Sequence, residues 1–254
     1  MGFTAQPRSD FLLLLNMSLL SLREDMLRDG HEMAATQKDG PAAQWTVAEF
    51  EALESSVRTY CRDDIQVGCG RTGAFFSFER AGIKPDIICL SKAIGGIGMP
   101  MALTLMKPEC DLWGPGDHVG TFRGNNLAFV AASAALDYWR TPDLEKILDQ
   151  RSRKIRQHLV RVADRYPDHC AGARGIGMIQ GLAWRDPTLT QAILRAAFER
   201  GLLIESCGPN SEVLKLLPPL IISDDELEEG LAFLSDAIDH TMESVSERRV
   251  IQSE

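Results

Sequence analysis

The 254-residue sequence has neither closely spaced cysteine pairs nor a long hydrophobic run. None of its six scattered cysteines forms a C-x-x-C pair, and no cysteine–histidine group has zinc spacing, so we expect no metal site. The scattered thiols predict reduced, mostly buried cysteines in a cytoplasmic protein. The longest apolar run, residues 11–22, is too short to span a bilayer and lacks the features of a signal peptide. We interpret it as an amphipathic or buried helix.

The sequence also has fewer basic than acidic residues. Lysine and arginine number 27 against 36 aspartates and glutamates, which gives a formal net charge of −9. This balance argues against nucleic acid or an anionic membrane as the main partner. Hydrophobic residues make up 44% and charged residues 25%, as is typical of a globular protein.

The hydrophobic pattern after residue 60 alternates between the periods of strands and helices. Residues 1–60 are predicted to be helices and loop, with helical spacing over 46–60 and no chemical motif. Strands are predicted over 85–90, 101–106, 177–184, 202–205 and 213–217, and helices over 126–140 (apolar, hence buried), 144–166, 189–200 and after a capping box at Ser223–Glu226. This alternation indicates an α/β fold, with a separate smaller α/β domain from about residue 143.

Lys92 is the first candidate for chemistry. It follows the predicted strand over 85–90 and precedes Gly95 and Gly96, which let backbone approach closely. A lysine in a partly desolvated site loses its proton more readily and can attack a carbonyl group. Taken alone, a solvated surface lysine is the commoner interpretation.

Asp63 is the second candidate. A carboxylate at the end of a strand can hold a pyridine nitrogen protonated, so that the ring withdraws electrons. A solvated loop acid or a helix cap is the alternative for an isolated aspartate. Because Asp64 follows directly and an unpaired buried carboxylate is costly, we expect at most one of the two to be deeply buried.

Two loops have the composition of phosphate-binding segments. Residues 68–73 match the dinucleotide pattern G-x-G-x-x-G, but no apolar strand precedes the match and no helix pattern opens after it, so we consider nicotinamide binding improbable. Thr121 lies in a Gly-Thr-Phe-Arg-Gly-Asn-Asn loop before a predicted helix, where hydroxyls and amides suit a phosphate. A turn followed by a helix cap is the common alternative.

In order along the chain, these segments resemble the class III, or omega, aminotransferases. The matching phrases are Asp-Asp-Ile-Gln-Val-Gly-Cys-Gly-Arg-Thr-Gly over 63–73, Lys-Pro-Asp-Ile over 84–87 with Ser-Lys over 91–92, and Gly-Thr-Phe-Arg-Gly-Asn over 120–125. The resemblance covers about residues 61–240. The first and last phrases point to the branch of the family that forms 2,4-diaminobutyrate from glutamate and aspartate 4-semialdehyde. Other omega-aminotransferase substrates, ornithine, acetylornithine or 4-aminobutyrate, remain open.

The resemblance implies fold type I, pyridoxal 5'-phosphate as cofactor and a homodimer or higher homo-oligomer. By matched position, Lys92 would bond covalently to the cofactor, Asp63 would pair with its ring nitrogen, and Gln66 would contact its phenolic oxygen. Thr121 would bind the cofactor phosphate of the neighbouring subunit. Lys215 stands where many relatives carry an arginine for the substrate carboxylate, but a lysine lacks the bidentate fork. A plain surface lysine is the equal alternative for that position.

The resemblance also implies a domain organisation. Residues 61–142 would form part of the cofactor-binding large domain, 143–254 the C-terminal small domain, and 1–60 an atypical helical segment. The family's phosphate loop and the aromatic residue stacked on the pyridine have no match in residues 1–60, and the stretch 55–62 is a poor buried strand. We therefore expect an N-terminally truncated relative, which leaves open an inactive chain that binds a full-length partner.

Overall fold

The computed structural model describes residues 12–14, 60–96, 98–120 and 123–251, with side chains described over 60–245 of these ranges. They form two compact units. The first contains the described residues up to Cys69 and from Phe76 to Thr141; the second consists of Gly70–Phe75 and the described residues from Pro142 onward. The assignment of residues 61–142 and 143–254 to a partial large domain and a small domain stays a prediction.

The first unit is built on a four-stranded sheet of order β1-β4-β3-β2. Its strands are β1 (Leu12–Leu14), β2 (Cys61–Asp63), β3 (Ile87–Ser91) and β4 (Ala102–Met106). β2 runs parallel to β3, whereas β3 and β1 are both antiparallel to β4. Four consecutive residues of β3 are buried without alternation, as expected of a strand covered on both faces. The predicted strands over 85–90 and 101–106 are confirmed.

The predicted N-terminal helix over residues 11–22 is wrong where the structure describes it. Leu12–Leu14 is a strand whose Leu13 pairs with Leu105 of β4. A short apolar run fits a helix and a buried strand equally well, and here pairing with an existing strand decides the outcome. The predicted helix over 46–60 lies outside the described residues except Tyr60, which is not helical.

Helix α1 (Asn126–Leu136) follows the sheet, and the Asn125 side chain caps it by accepting from the Leu127 amide at 3.0 Å. The expectation of a buried helix is wrong for much of its surface. Leu127 and Val130 are 69% and 70% exposed. Its buried residues are Ala128 and Ala132, and Gly96 approaches the same helix at the Ala131 carbonyl and Ala135.

The second unit packs helices against an antiparallel sheet of order β5-β6-β8-β7. Its elements are α2 (Asp143–Arg165), β5 (Cys170–Ile176), β6 (Ile179–Trp184), α3 (Pro187–Glu199), β7 (Glu205–Cys207), β8 (Val213–Leu216) and α4 (Asp224–Ile251). The prediction for β7 was placed too early, since residues 202–204 precede the paired segment. β5 was not predicted: its Cys-Ala-Gly-Ala-Arg-Gly-Ile sequence lacks β-branched residues until the last.

Helical periodicity explains how α2 packs on this core, and a capping box explains where α4 begins. The apolar positions of α2 recur on one side, and Leu148, Ile155 and Leu159 are fully buried. The predicted capping box of α4 is confirmed: the Glu226 amide donates to Ser223 Oγ at 3.2 Å, and Glu226 Oε2 accepts from the Ser223 amide at 2.9 Å.

The six cysteines are all free, as predicted, but only Cys69, Cys89 and Cys170 are buried. Within the described ranges, no helix combines the length and apolar character needed to cross a membrane.

Two glycines with positive φ provide a stability test. Gly177 (φ +60°) and Gly201 (φ +84°) both adopt the left-handed conformation, but only Gly177 is crowded. A β-carbon there would lie 2.5 Å from the Arg71 carbonyl oxygen, whereas nothing lies within 4 Å at Gly201. We expect G201A to lower the free energy of unfolding by about 1–2 kcal/mol through backbone strain, and G177A by about 3 kcal/mol or more because overpacking is added. Urea denaturation followed by circular dichroism measures both, and equal losses would contradict this account.

Candidate functional site

Parallel pairing of β2 with β3 brings two of the predicted site residues to one edge of the sheet. Asp63 ends β2 and pairs with Cys89, while Lys92 follows the last residue of β3. Because parallel strands end at the same edge, the carboxylate and the amine project from neighbouring strand ends. The carboxyl ends of strands are the usual place for ligands in α/β folds.

The two adjacent aspartates have opposite environments. Asp63 is exposed, and its Oδ1 accepts a hydrogen bond from the Ile65 amide at 2.9 Å. Asp64 is completely buried. The expectation that at most one of them is deeply buried is confirmed, and the exposed one is the predicted ligand residue.

Hydrogen bonds compensate the burial of the Asp64 carboxylate. Its Oδ2 accepts from the Ser77 amide at 2.9 Å, and its Oδ1 accepts a short hydrogen bond from Ser77 Oγ. Arg62 Nε lies 3.4 Å from the same Oδ1, and its Nη2 donates to Ser77 Oγ at 2.9 Å. The charge is therefore paired and hydrogen-bonded, as a buried carboxylate requires.

Lys92 lies at the start of a 3-10 turn, Lys92–Gly95, directly after β3. Its φ of +52° is in the left-handed region, which is uncommon for a residue with a side chain and costs roughly 1–2 kcal/mol. Buried Ile94 and Gly95 anchor the turn, and Ser91 Oγ donates to the Met101 carbonyl at 2.7 Å. The lysine side chain is exposed. A strained, anchored turn with an accessible amine suits a ligand-binding lysine.

Gln66 lies in the tight turn that follows Asp63 and is half-buried. The turn closes where the Gly68 amide donates to the Asp64 carbonyl at 3.0 Å. A β-carbon at Gly68 would come within 2.6 Å of that carbonyl oxygen, so glycine permits the close approach. Asp63, Gln66 and Lys92 therefore belong to one unit and one sheet edge.

The segment that resembles a dinucleotide fingerprint has a different role. Gly70–Phe75 belongs to the second unit, and a bend, turns and a short 3-10 helix follow it rather than an α-helix. Arg71 is buried there and donates through Nη1 to the carbonyls of Met178 and Pro218. The buried Arg71 therefore ties this segment to backbone carbonyls of the same unit.

The remaining two predicted site residues lie outside the described part of the first unit. Thr121 lies outside the described residues. Lys215 lies in β8 of the second unit, and its Nζ is 3.1 Å from Glu205 Oε1 on β7. The Lys215 side chain is only 12% exposed, and it lines a largely apolar cavity of about 500 Å³ together with Leu202, Leu217 and Leu231. Lys215 is therefore not the plain surface lysine that was the alternative considered from the sequence.

Asp86 was not singled out from the sequence. Its contacts lie at the opposite end of β2 and β3 from Asp63 and Lys92. Asp86 Oδ2 accepts from the Tyr60 amide at 2.7 Å, and its Oδ1 accepts from Lys107 Nζ at 2.6 Å. Its backbone amide donates to the Tyr60 carbonyl and its carbonyl accepts from the Lys107 amide. One residue therefore joins the segments leading into β2, β3 and out of β4. A Pro-Asp pair before an apolar run was the only signal in the sequence.

Comparison with known proteins identifies the class. The class-III aminotransferase family model matches residues 58–238, and the chain belongs to that family. The α/β, fold type I architecture predicted from the sequence is confirmed by the solved structures it resembles. N-acetylornithine aminotransferase from Stenotrophomonas maltophilia is 28% identical with a TM-score of 0.67, over 87% of this chain and 61% of that one. A phospholyase from Arthrobacter is 27% identical with a TM-score of 0.68, over 75% and 48%.

Curated relatives are more similar in sequence. Diaminobutyrate–2-oxoglutarate transaminase of Virgibacillus pantothenticus is 52% identical over 181 residues, which are 71% of this chain and 44% of the relative. The protein of the same name from Streptomyces coelicolor is 49% identical over 201 residues, or 78% and 48%. The chain thus spans less than half the length of these relatives.

The Asp86 contacts predict a pH-dependent contribution to stability. Partial burial acts to raise the pKa of Asp86, but hydrogen bonds from Lys107 and Tyr60 outweigh it and hold the pKa below its ordinary value. A lowered pKa in the folded state adds stability above the unfolded-state pKa, and this stability is lost as pH falls through the folded-state pKa.

We expect D86N to lower the free energy of unfolding by about 1 kcal/mol or more at neutral pH, and the difference from wild type to shrink towards pH 3 and below. Urea denaturation across this range measures it. The matched control is D111N, at an exposed acid beyond β4, which should follow the wild type at every pH. A D86N deficit that stays constant with pH would contradict the assignment.

Proposed function

We propose that this chain carries the lysine-bearing part of a pyridoxal 5'-phosphate-dependent aminotransferase site. The observation that supports this most strongly is the placement of Lys92 and Asp63 at the ends of adjacent parallel strands. An amine and a carboxylate so placed fit the aldehyde and the ring nitrogen of this cofactor. When bound, the cofactor supplies an aldehyde that links covalently to amines and a ring that withdraws electrons.

Each residue then has a chemical task. The exposed Lys92 amine holds the cofactor and carries a proton at its Nζ between reacting carbons. Asp63 keeps the ring nitrogen protonated through its carboxylate, which a nearby opposite charge favours. Gln66 hydrogen-bonds the phenolic oxygen. Thr121 binds the cofactor phosphate of a second subunit, which makes the functional form a homodimer or a higher homo-oligomer.

The names of the curated relatives, diaminobutyrate–2-oxoglutarate transaminases, support a choice of substrates. We propose that glutamate donates its amino group and aspartate 4-semialdehyde receives it, which yields 2-oxoglutarate and 2,4-diaminobutyrate. This reaction would place the protein in ectoine biosynthesis. The six free thiols fit a reducing compartment, and we assign the protein to the cytoplasm.

A second candidate is transamination of another omega-amino substrate. It is favoured by the likeness of the fold to N-acetylornithine aminotransferases from Stenotrophomonas maltophilia and Elizabethkingia anophelis. Both candidates use the same residues at the sheet edge, so the substrate alone separates them.

Borohydride reduction tests the lysine assignment. We expect the full chain incubated with pyridoxal phosphate and reduced to carry a phosphopyridoxyl group on Lys92, because the Lys92 side chain is exposed at the end of β3. Peptide mass spectrometry locates the modified residue. K92A should lose the adduct, whereas K84A, at another exposed lysine of the same unit, should retain it. An adduct that survives in K92A would exclude Lys92.

Substrate profiling separates the two candidate reactions. With glutamate as donor, we expect turnover of aspartate 4-semialdehyde to exceed that of glutamate 5-semialdehyde, N-acetylglutamate 5-semialdehyde and succinate semialdehyde by at least about tenfold, or about 1.4 kcal/mol in transition-state binding. Chromatography of the amino acids formed measures each rate. Preference for the acetylated acceptor would favour the second candidate. No turnover by a cofactor-loaded chain would favour an inactive relative.

A paired experiment tests whether Lys215 binds the substrate carboxylate. Lys215 already pairs with Glu205, so a substrate role requires its charge to be shared with, or released from, that partner. We expect K215A to raise KM for glutamate about tenfold, while E205Q leaves KM unchanged or lowers it because the amine is freed.

The opposite pattern identifies a purely structural pair. If K215A and E205Q lower the free energy of unfolding equally and neither changes KM, Lys215 contributes only a cross-strand ion pair.

A further inference from the structure

The buried Asp64 carboxylate is the strongest feature that the proposed roles leave unexplained. It is completely buried next to the exposed Asp63, and every hydrogen-bonding group of the residue is engaged. Its amide donates to the Cys89 carbonyl at 2.9 Å and its own carbonyl accepts from Gly68. Its two carboxylate oxygens bind Ser77 and Arg62. A charge confined in this way fixes the position of the backbone on both sides of it.

The backbone on either side of Asp64 carries the Asp63 side chain and the Ile65 amide. The hydrogen bond from the Ile65 amide to Asp63 Oδ1 sets the direction of the Asp63 carboxylate. Within the described residues, the other oxygen, Oδ2, accepts no hydrogen bond. The Ile65 amide can orient the Asp63 carboxylate only if the turn that contains Ile65 keeps its shape. The contacts of Asp64 stabilise this turn.

We propose that Asp64, with Ser77 and Arg62, is the positioning residue for Asp63 and thereby sets the protonation of the cofactor's ring nitrogen. This inference rests on the proposed function. Asp64 lies outside the cofactor contacts assigned above and acts through the Ile65 amide. Its partner Ser77 is thirteen residues further along the chain and belongs to the same unit, so the contact joins two separate segments of that unit at the end of β2.

The test is the ring-nitrogen titration of the 254-residue chain loaded with pyridoxal phosphate labelled with ¹⁵N in the ring. D64N keeps the shape of the side chain but replaces one acceptor oxygen with an amide donor that faces Arg62 and Ser77. If Asp63 is released, its carboxylate no longer favours the charged ring nitrogen. We expect the pH midpoint of the ¹⁵N shift to fall by about one pH unit and the dissociation constant for pyridoxal phosphate to rise about tenfold.

Matched variants separate positioning from loss of structure. D137N removes a carboxylate that pairs with Arg140 on the surface of the same unit, and it should titrate and bind like the wild type. S77A removes only the hydroxyl that joins Asp64 to Arg62 and should shift the midpoint in the same direction as D64N. S77T retains a hydroxyl and should restore the wild-type midpoint. S77A and S77T still decide the question if D64N does not fold.

The outcomes are distinguishable. If D64N and S77A bind the cofactor with the wild-type midpoint, Asp64 is a structural anchor and the inference is overturned. If the wild type and D137N also fail to bind pyridoxal phosphate, the proposed function fails and the inference falls with it. A shifted midpoint in S77A that S77T restores supports positioning, because a general loss of stability would not move it.

Discussion

The parallel pairing of β2 with β3 is the constraint on which the candidate site depends. Only three residues of β2 pair with β3, and their sequence, Cys-Arg-Asp, has little intrinsic preference for a strand. Contacts at both ends hold the register: Asp86 binds the Tyr60 amide before the strand, and the Asp64 amide binds Cys89 after it. A slip of one residue would exchange the faces of Asp63 and Asp64, and with them the exposed and the buried carboxylate.

That exchange would be costly because the two aspartates have unlike surroundings. Asp64 is surrounded by donors from Ser77 and Arg62, whereas Asp63 accepts from one donor among the described residues, the Ile65 amide. The oxygens of a carboxylate with several donors are already engaged, whereas a carboxylate with a single donor can still pair with a ligand cation. Two residues of the same type thus take different roles through position alone.

Elements with a distinctive local sequence pattern were predictable from the sequence. β3, β4, α2 and the capping box of α4 follow from local rules that need no knowledge of partners. β5 was not predicted and β7 was predicted too early, since their residues become strands only by pairing with β6 and β8. The exposed part of α1 was mispredicted because apolar composition predicts burial without saying what covers the surface.

The candidate site also has a part that the sequence predicts and a part that it does not. The order of Asp63, Gln66, Lys92 and Thr121 carries the family resemblance and is readable in the sequence. The contacts that organise these residues are not, because Asp64 meets Ser77 thirteen positions later and Asp86 meets Lys107 twenty-one positions later. Lys215 illustrates the same limit: its partner Glu205 is set by the register of β7 on β8.

Residues 68–73 match the spacing of a dinucleotide-binding motif, but the glycines of this chain make different contacts. In the dinucleotide fold, glycines let a backbone approach a pyrophosphate at the start of a helix. In this chain, Gly68 lets the turn close on the Asp64 carbonyl, and Gly177 lets a hairpin approach the backbone of Arg71. The same lack of a side chain serves contact between protein segments instead of contact with a phosphate. The surrounding elements, rather than the spacing of the glycines, determine which use applies, and here the β2–β3 pairing makes the turn after Asp63 part of the sheet edge that carries Lys92.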